Sequence, residues 1–200
     1  VALTREVAIK FIHAHLCEDA SYRENFLREA RLLGSFFHQN LIQAYDAGLD
    51  EQCRMYMAME LVQGGDLEEL LAAKGGKRDP EYCLNILEGI AEGLELCNEE
   101  DMTHGDIKPA NILITKDGIP KLTDFGLAHK SGEERGAAEE GMLELTPHYA
   151  PPEQIRGQAQ PGDPRADIYA FGATLYHLIH GRPPFDDEDF NEVLQMHLNE

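Results

Sequence analysis

Strand-like runs with one helix among them occupy the chain up to Gln63 and mainly helical runs follow Asp66, so the stretch between them marks a change in what the sequence can build. Before it, Glu6 to Ile12 (EVAIKFI), Leu41 to Leu49 and Arg54 to Val62 are rich in β-branched and apolar residues, as half-buried strands are. The second and third of these runs are separated only by the polar Asp50 to Gln52, which predicts antiparallel neighbours. Segregation of this kind belongs to an α+β chain rather than to an alternating α/β sheet. Two unequal parts are expected: residues 1–62, a small antiparallel sheet with one helix, and residues 63–200, mainly helical.

The helix of the first part carries the sharpest local demand. Ser21, with Glu24 three residues on, forms a capping-box pattern, and Phe26, Ala30, Leu33 and Phe37 then fall along one face. Glu29 lies beside that inward stripe. A carboxylate turned toward a core costs free energy unless it is paired, so Glu29 requires a cation. Lys10, the lysine of the EVAIKFI strand, is its natural partner.

In the second part Gly64-Gly65 ends the strands, and Asp66 can cap a short helix running to about Lys74, closed by Gly75-Gly76. A longer helix begins with Asp79 as cap and Pro80 at its first position, with Leu84, Leu87, Ile90, Ala91 and Leu94 on one face. Short strands and turns lead to Asp124. A Gly- and Glu-rich loop covers residues 130–145, and a further apolar helix runs from about Ala166 to His180. Ile168 to Gly181 is the longest stretch free of charge, too short to span a bilayer. The two ends, an interior strand at Val1 to Lys10 and an unfinished helix at Phe190 to Glu200, are expected to be fragment boundaries.

Chemistry concentrates in THGDIKPANILIT (Thr103 to Thr115) and KLTDFGLA (Lys121 to Ala128). Asp106, Asn111 and Asp124 supply two acids and an amide, five and then thirteen positions apart, able to gather around one divalent cation. Phosphoryl transfer needs that inventory: a carboxylate near the acceptor hydroxyl, a cation on the transferring phosphate, and oxygen ligands for magnesium.

VAIK (Val7 to Lys10), a helix glutamate at 29, HGDIKPAN (His104 to Asn111), DFG (Asp124 to Gly126) and a PPE ending at Glu153 stand in the order of the protein kinases. With DIYAFGATLYHLIHGRPPF (Asp167 to Phe185), the chain resembles a eukaryotic-like, bacterial-type protein serine/threonine kinase catalytic domain truncated at both ends. The resemblance implies a bilobal fold: a partial small lobe at 1–62 lacking the phosphate-covering glycine loop, and a partial large lobe at 63–200 lacking the last helices. It implies that Lys10, held by Glu29, binds the α- and β-phosphates of ATP. Asp106 accepts the substrate hydroxyl proton, Lys108 neutralises charge on the γ-phosphoryl group, and Asn111 and Asp124 hold Mg2+. Adenine lies against Met59 to Val62, bonding the backbone of Glu60 and Val62, with Met59 as gatekeeper, Leu113 against the nucleotide, and Asp66 near the ribose or a substrate side chain. Structural or regulatory parts fall to His104, Phe125, Gly126, Thr146, Glu153 and Asp167. Thr146-Pro147, with Lys108 two residues after Asp106, resembles the serine/threonine branch, and a hydroxyl at 146 near Asp106 completes a hydrogen-bonded network.

Some positions depart from the pattern. Gly105 stands where the family has the arginine that receives an activation-loop phosphate. Between Asp124 and Leu145 the only hydroxyl side chain is Ser131, crowded by Glu133, Glu134, Glu139, Glu140 and Glu144. Loop phosphorylation is therefore expected to be a poor switch. Ala110 stands before Asn111 where some basic-peptide-directed kinases carry glutamate, and Pro151 begins the PPE where the family usually has alanine.

Composition narrows the partners. With 37 acidic against 17 basic side chains the formal charge is -20, which repels nucleic acid and anionic headgroups and weakly favours neutral or basic protein substrates. Cys17, Cys53, Cys83 and Cys97 show no C-x-x-C pairing and read as reduced thiols in a cytoplasmic setting. His13 and His15 share a strand face without a third ligand, His177, His180 and His197 read as packing or surface residues, and Asp186 to Asp189 as a solvated helix start. Taken singly, Lys10 with Glu29 is a structural ion pair and Asp106 and Asp124 are turn residues; the ordered set favours the enzyme. The expected activity is ATP-dependent phosphorylation of protein Ser/Thr hydroxyls. The rivals are a kinase-like scaffold that binds partners and a small-molecule kinase on the same fold.

Overall fold

The computed structural model describes residues 5–12, 20–52, 54–73, 78–125, 129–130, 146–160 and 162–199. Gly126, Ser131 and the acidic loop around it, His13, His15, Cys17, Cys53 and Gly75-Gly76 lie outside them.

Strand β1 (Val7–Phe11) is followed by helix α1 (Ala20–Ser35), β2 (Ala44–Leu49) and β3 (Met55–Glu60). The three strands form one sheet in the order β1-β3-β2, antiparallel throughout, with Lys10 opposite Met57. Met55, Met57 and Met59 alternate inward from the central strand and pack with Phe26, Ala30 and Leu33 of α1. The apolar stripe of α1 stops there. Phe37, expected on the same face, lies beyond the helix end and is 92% exposed. Ser21 already lies within α1, one residue after its start. The run Leu41 to Leu49 also divides: Ile42 donates its N–H to the Leu122 carbonyl at 2.8 Å, and the strand paired with β3 begins at Ala44.

Beyond Glu60 come α2 (Leu67–Ala73), α3 (Pro80–Glu99), β4 (Met102–Thr103), a 3-10 turn (Pro109–Asn111), β5 (Ile112–Ile114), β6 (Pro120–Leu122), β7 (His129–Lys130), a second 3-10 turn (Pro147–Tyr149), α4 (Pro152–Ile155), α5 (Pro164–His180) and α6 (Phe190–Asn199). Short chains cap the helices: Asp66 Oδ1 accepts the Glu69 N–H, Asp79 Oδ1 that of Glu81, and Asp163 Oδ1 that of Arg165. Gly181, at φ 77°, closes α5.

The buried face of α3 is rotated from the one the leucines suggest. Cys83, Ile86, Leu87, Ile90, Gly93 and Cys97 are buried, while Leu84 is 59% exposed and Ala91 faces out. The cysteines behave as small hydrophobes, and burial pushes the Cys97 thiol up to about 12. Glycine decides the rest. A Cβ at Gly93 would stand 3.0 Å from Leu41 Cδ2, and one at Gly89 2.6 Å from both Asn40 Nδ2 and Pro120 Cγ. The stretch 40–42 thus lies against the glycine face of α3 while it exchanges backbone bonds with β6.

Candidate active site

Two groups of charged side chains meet where the sheet faces the helical part. Lys10, inward on β1, approaches Glu29 Oε1 at 3.0 Å and Oε2 at 3.2 Å, and Asp124 Oδ1 at 2.7 Å. Glu29 is buried on α1, so the pairing meets the demand its inward position creates. Burial alone would lower the Lys10 ammonium, but the two carboxylates outweigh it and hold it above its ordinary value. Glu29 is pushed up by burial, and Lys10 pulls back only part of that rise. Asp124 has φ 61°, an uncommon conformation for a residue with a Cβ.

The second group surrounds Asp106. Its Oδ2 lies 2.7 Å from Lys108 Nζ and accepts Asn111 Nδ2 at 2.9 Å, while Oδ1 accepts the Thr146 hydroxyl at 2.9 Å. Lys108 Nζ also donates to Thr146 Oγ1 at 2.8 Å, closing a ring of three side chains. Asn111 Nδ2 donates in addition to the Asp106 carbonyl at 2.8 Å. With both its amide hydrogens directed at Asp106, Asn111 leaves Oδ1 to face a further partner. Thr123 donates its N–H to the Asn111 carbonyl at 3.1 Å, joining the loop of Asn111 to the segment that leads from β6 to Asp124.

Beneath these lies a buried frame. Asp167, at the start of α5, accepts the N–H of His104 at 2.7 Å and of Gly105 at 2.8 Å. Burial pushes its carboxyl up, against the pull of the two N–H groups it accepts. His104 Nε2 donates to the Thr123 carbonyl at 2.9 Å and its Nδ1 accepts the Asp106 N–H at 3.2 Å, which assigns the neutral Nε2–H tautomer. Its ring packs on Phe125 with centroids 4.4 Å apart. Gly105 has φ 83°, a conformation that a side chain there would strain.

Met59 is buried, and Glu60, Val62, Asp66 and Leu113 are half-buried along one edge. Asp66 and Leu113 form a backbone bridge, and Ile114 donates its N–H to the Gly65 carbonyl at 2.9 Å. Glu153 sits in the first turn of α4 and pairs with no cation within 4 Å among the described residues. Near the 3-10 turn of Pro147–Tyr149, the Tyr149 hydroxyl shares a 2.7 Å bond with His177 Nδ1, and Tyr169 one of 2.6 Å with His197 Nδ1.

One buried charge is absent from the residues singled out in the sequence. Lys121 on β6 is 8% exposed and its Nζ lies 3.0 Å from Glu60 Oε2. The rule that exposed Glu29 applies here as well: a lysine inside an apolar strand, IPKLT, requires a carboxylate.

Asn111 Oδ1 and the Asp124 carboxylate are oxygen donors of the kind magnesium takes, one or two from the protein with phosphate and water completing the shell. The described residues hold no cluster of three His, Cys, Asp or Glu able to bind a metal unaided.

A strand lysine salt-bridged to a helix glutamate and to an acid just past a short strand, with a loop acid ringed by lysine, asparagine and threonine, is an arrangement of the protein-kinase type. Residues 2–200 match the family model of the protein kinase domain, and the chain belongs to that family. Among its curated relatives are the probable serine/threonine-protein kinase PknB of Corynebacterium glutamicum, 37% identical over 98% of this chain and 30% of the relative. The serine/threonine-protein kinase PrkC of Bacillus subtilis is 37% identical over 99% of this chain and 30% of its own length. The serine/threonine-protein kinase PknF of Mycobacterium tuberculosis is 35% identical over 98% of this chain and 42% of its own length. The chain thus spans a third or so of the relatives it matches.

Proposed function

We propose that this chain is the catalytic portion of a bacterial-type protein serine/threonine kinase that moves the γ-phosphoryl group of Mg-ATP to a Ser or Thr hydroxyl of a protein. The observation that carries the reading is the paired anchoring of Lys10 by Glu29 and Asp124, beside an Asp106 carboxylate oriented by three donors. Nucleotide binding belongs between the parts 1–62 and 63–200, with Met59, Glu60 and Val62 along the adenine, Leu113 on its face and Asp66 toward the ribose.

Mg-ATP, when bound, supplies the phosphoryl group and the charge to be neutralised. Lys10 binds the α- and β-phosphate oxygens, and Glu29 keeps its ammonium aimed. Asn111 through Oδ1 and Asp124 through its carboxylate hold the metal. Asp106 accepts the proton of the attacking hydroxyl, and Thr146, Lys108 and Asn111 fix the carboxylate so that an unshared lone pair faces the acceptor. Lys108, two residues on, neutralises charge on the transferring group. His104, Phe125, Gly126 and Asp167 position the loop, and Thr146 and Glu153 belong to the segment that seats the protein substrate.

Gly105 supplies no cation for a loop phosphate, so activity is constitutive or partner-controlled; loss of activity in Ser131→Ala would overturn this point. Substrates are proteins, with nucleic acid disfavoured by the charge of -20. No helix of the described residues is long and apolar enough to cross a membrane, and the catalytic portion is assigned to the cytoplasm, where ATP is. The deciding experiment is turnover of radiolabelled ATP by the full chain beside Asp106→Asn and Lys10→Met. Incorporation lost in both supports the kinase; incorporation absent in the unaltered chain, or unaffected by both substitutions, gives the site to a non-catalytic scaffold.

A further inference from the structure

Lys121 is buried, and nothing in the proposed phosphoryl transfer uses it. It lies opposite Leu113 in the β5–β6 pair, so the two side chains share one face. Its ammonium reaches Glu60 Oε2 at 3.0 Å and the Leu41 carbonyl at 3.5 Å. Three separate pieces of chain therefore converge on one Nζ: the last residue of β3, the crossing stretch 40–43, and β6.

Backbone bonds already stitch the crossing stretch to both neighbours. Leu122 donates to the Asn40 carbonyl at 2.8 Å and Ile42 to the Leu122 carbonyl at 2.8 Å, while Glu60 donates to the Gln43 carbonyl at 2.9 Å. These bonds fix the crossing stretch against β6 and reach β3 only through Glu60. Lys121 adds a direct tie between β6 and the Glu60 side chain, which is 28% exposed and can otherwise turn to water. A buried ammonium whose carboxylate leaves loses far more than a surface lysine, so the tie is rigid.

We infer that Lys121 is a positioning residue for the nucleotide: its ion pair with Glu60 fixes the end of β3 relative to β6, and so relative to Asp124 three residues further on. This rests on the reading of Glu60 and Val62 as adenine contacts. Adenine meets a preformed edge when the pair is intact; without it, binding must first order that edge, and apparent affinity falls while the groups around Asp106 stay in register.

The test measures ATP kinetics and amide hydrogen exchange across 59–62 in the full chain. Lys121→Met and Glu60→Gln are each expected to raise KM for ATP about three- to tenfold with kcat within about twofold, and Lys121→Arg to recover most of the rise. Exchange at 59–62 in the nucleotide-free protein is expected to quicken in both variants. If Lys121→Met does not fold, Glu60→Gln, which leaves Lys121 in place, carries both measurements. An unchanged KM and unchanged exchange in Glu60→Gln overturns the inference, as does a fall in kcat alone. Failure of the kinase reading is distinct: the unaltered chain then turns over no ATP, while faster exchange at 59–62 still reports the tie.

Discussion

Lys10 Nζ lies 2.7 Å from Asp124 Oδ1 across 114 residues of sequence, and the same ammonium is held by Glu29. One cation thus joins the sheet, helix α1 and the segment just past β6 that carries Asp124. Removing it leaves two carboxylates facing each other without a counter-charge. Lys10→Met is expected to lower phosphoryl transfer at least about 100-fold, measured as kcat/KM with a protein substrate.

Glu29 gives a pH signature. Burial raises its carboxyl above the ordinary 4.5, so it takes up a proton on the acid side while an exposed glutamate is still ionised. Protonation releases Lys10. Activity is therefore expected to fall on acidification with a midpoint above 4.5, and Glu29→Gln to be less active but without that acid limb, read from the pH profile of kcat/KM.

Asp106 and Thr146 separate chemistry from orientation. Asp106→Asn removes the carboxylate proposed to accept the proton and is expected to reduce kcat by about 100- to 10,000-fold with an unchanged melting temperature. Thr146→Ala removes one of three donors and should cost only about tenfold, since Lys108 and Asn111 still hold the carboxylate. Equal losses in the two would show Thr146 to be part of the chemistry.

Asp167 supports the loop from below with two backbone bonds. Asp167→Asn turns one acceptor into a donor opposite an N–H, and a loss of about 1.5–3 kcal/mol in unfolding free energy is expected by denaturant titration.

Histidine burial predicts how stability responds to acid. His177 and His197 are lowered below 6.5, first by burial and then by His148. The unfolded chain then binds protons before the folded one, so their contribution is complete above 6.5 and lost as pH falls through the folded values. The denaturation midpoint should drop between neutral and mildly acidic pH, and the drop should shrink in the His177→Gln/His197→Gln variant.

Sequence alone determined the local elements and the cast of the site. The caps at Asp66 and Asp79 and the need of Glu29 for a cation follow from short-range rules that hold wherever the segment ends up. HGDIKPAN and DFG named the polar residues that the fold then gathers. Contact between distant segments was decided only in the tertiary structure, because periodicity states that a helix has a buried face but not which partner will cover it. Thus Gly89 and Gly93 admit the crossing stretch and Cys83 and Cys97 turn inward while Leu84 stays in water. Phe37 left its expected face because α1 ends at Ser35. Lys121 with Glu60, and Lys10 with Asp124, are likewise products of the fold: a buried charge announces that it needs an opposite one, and only three-dimensional proximity says which.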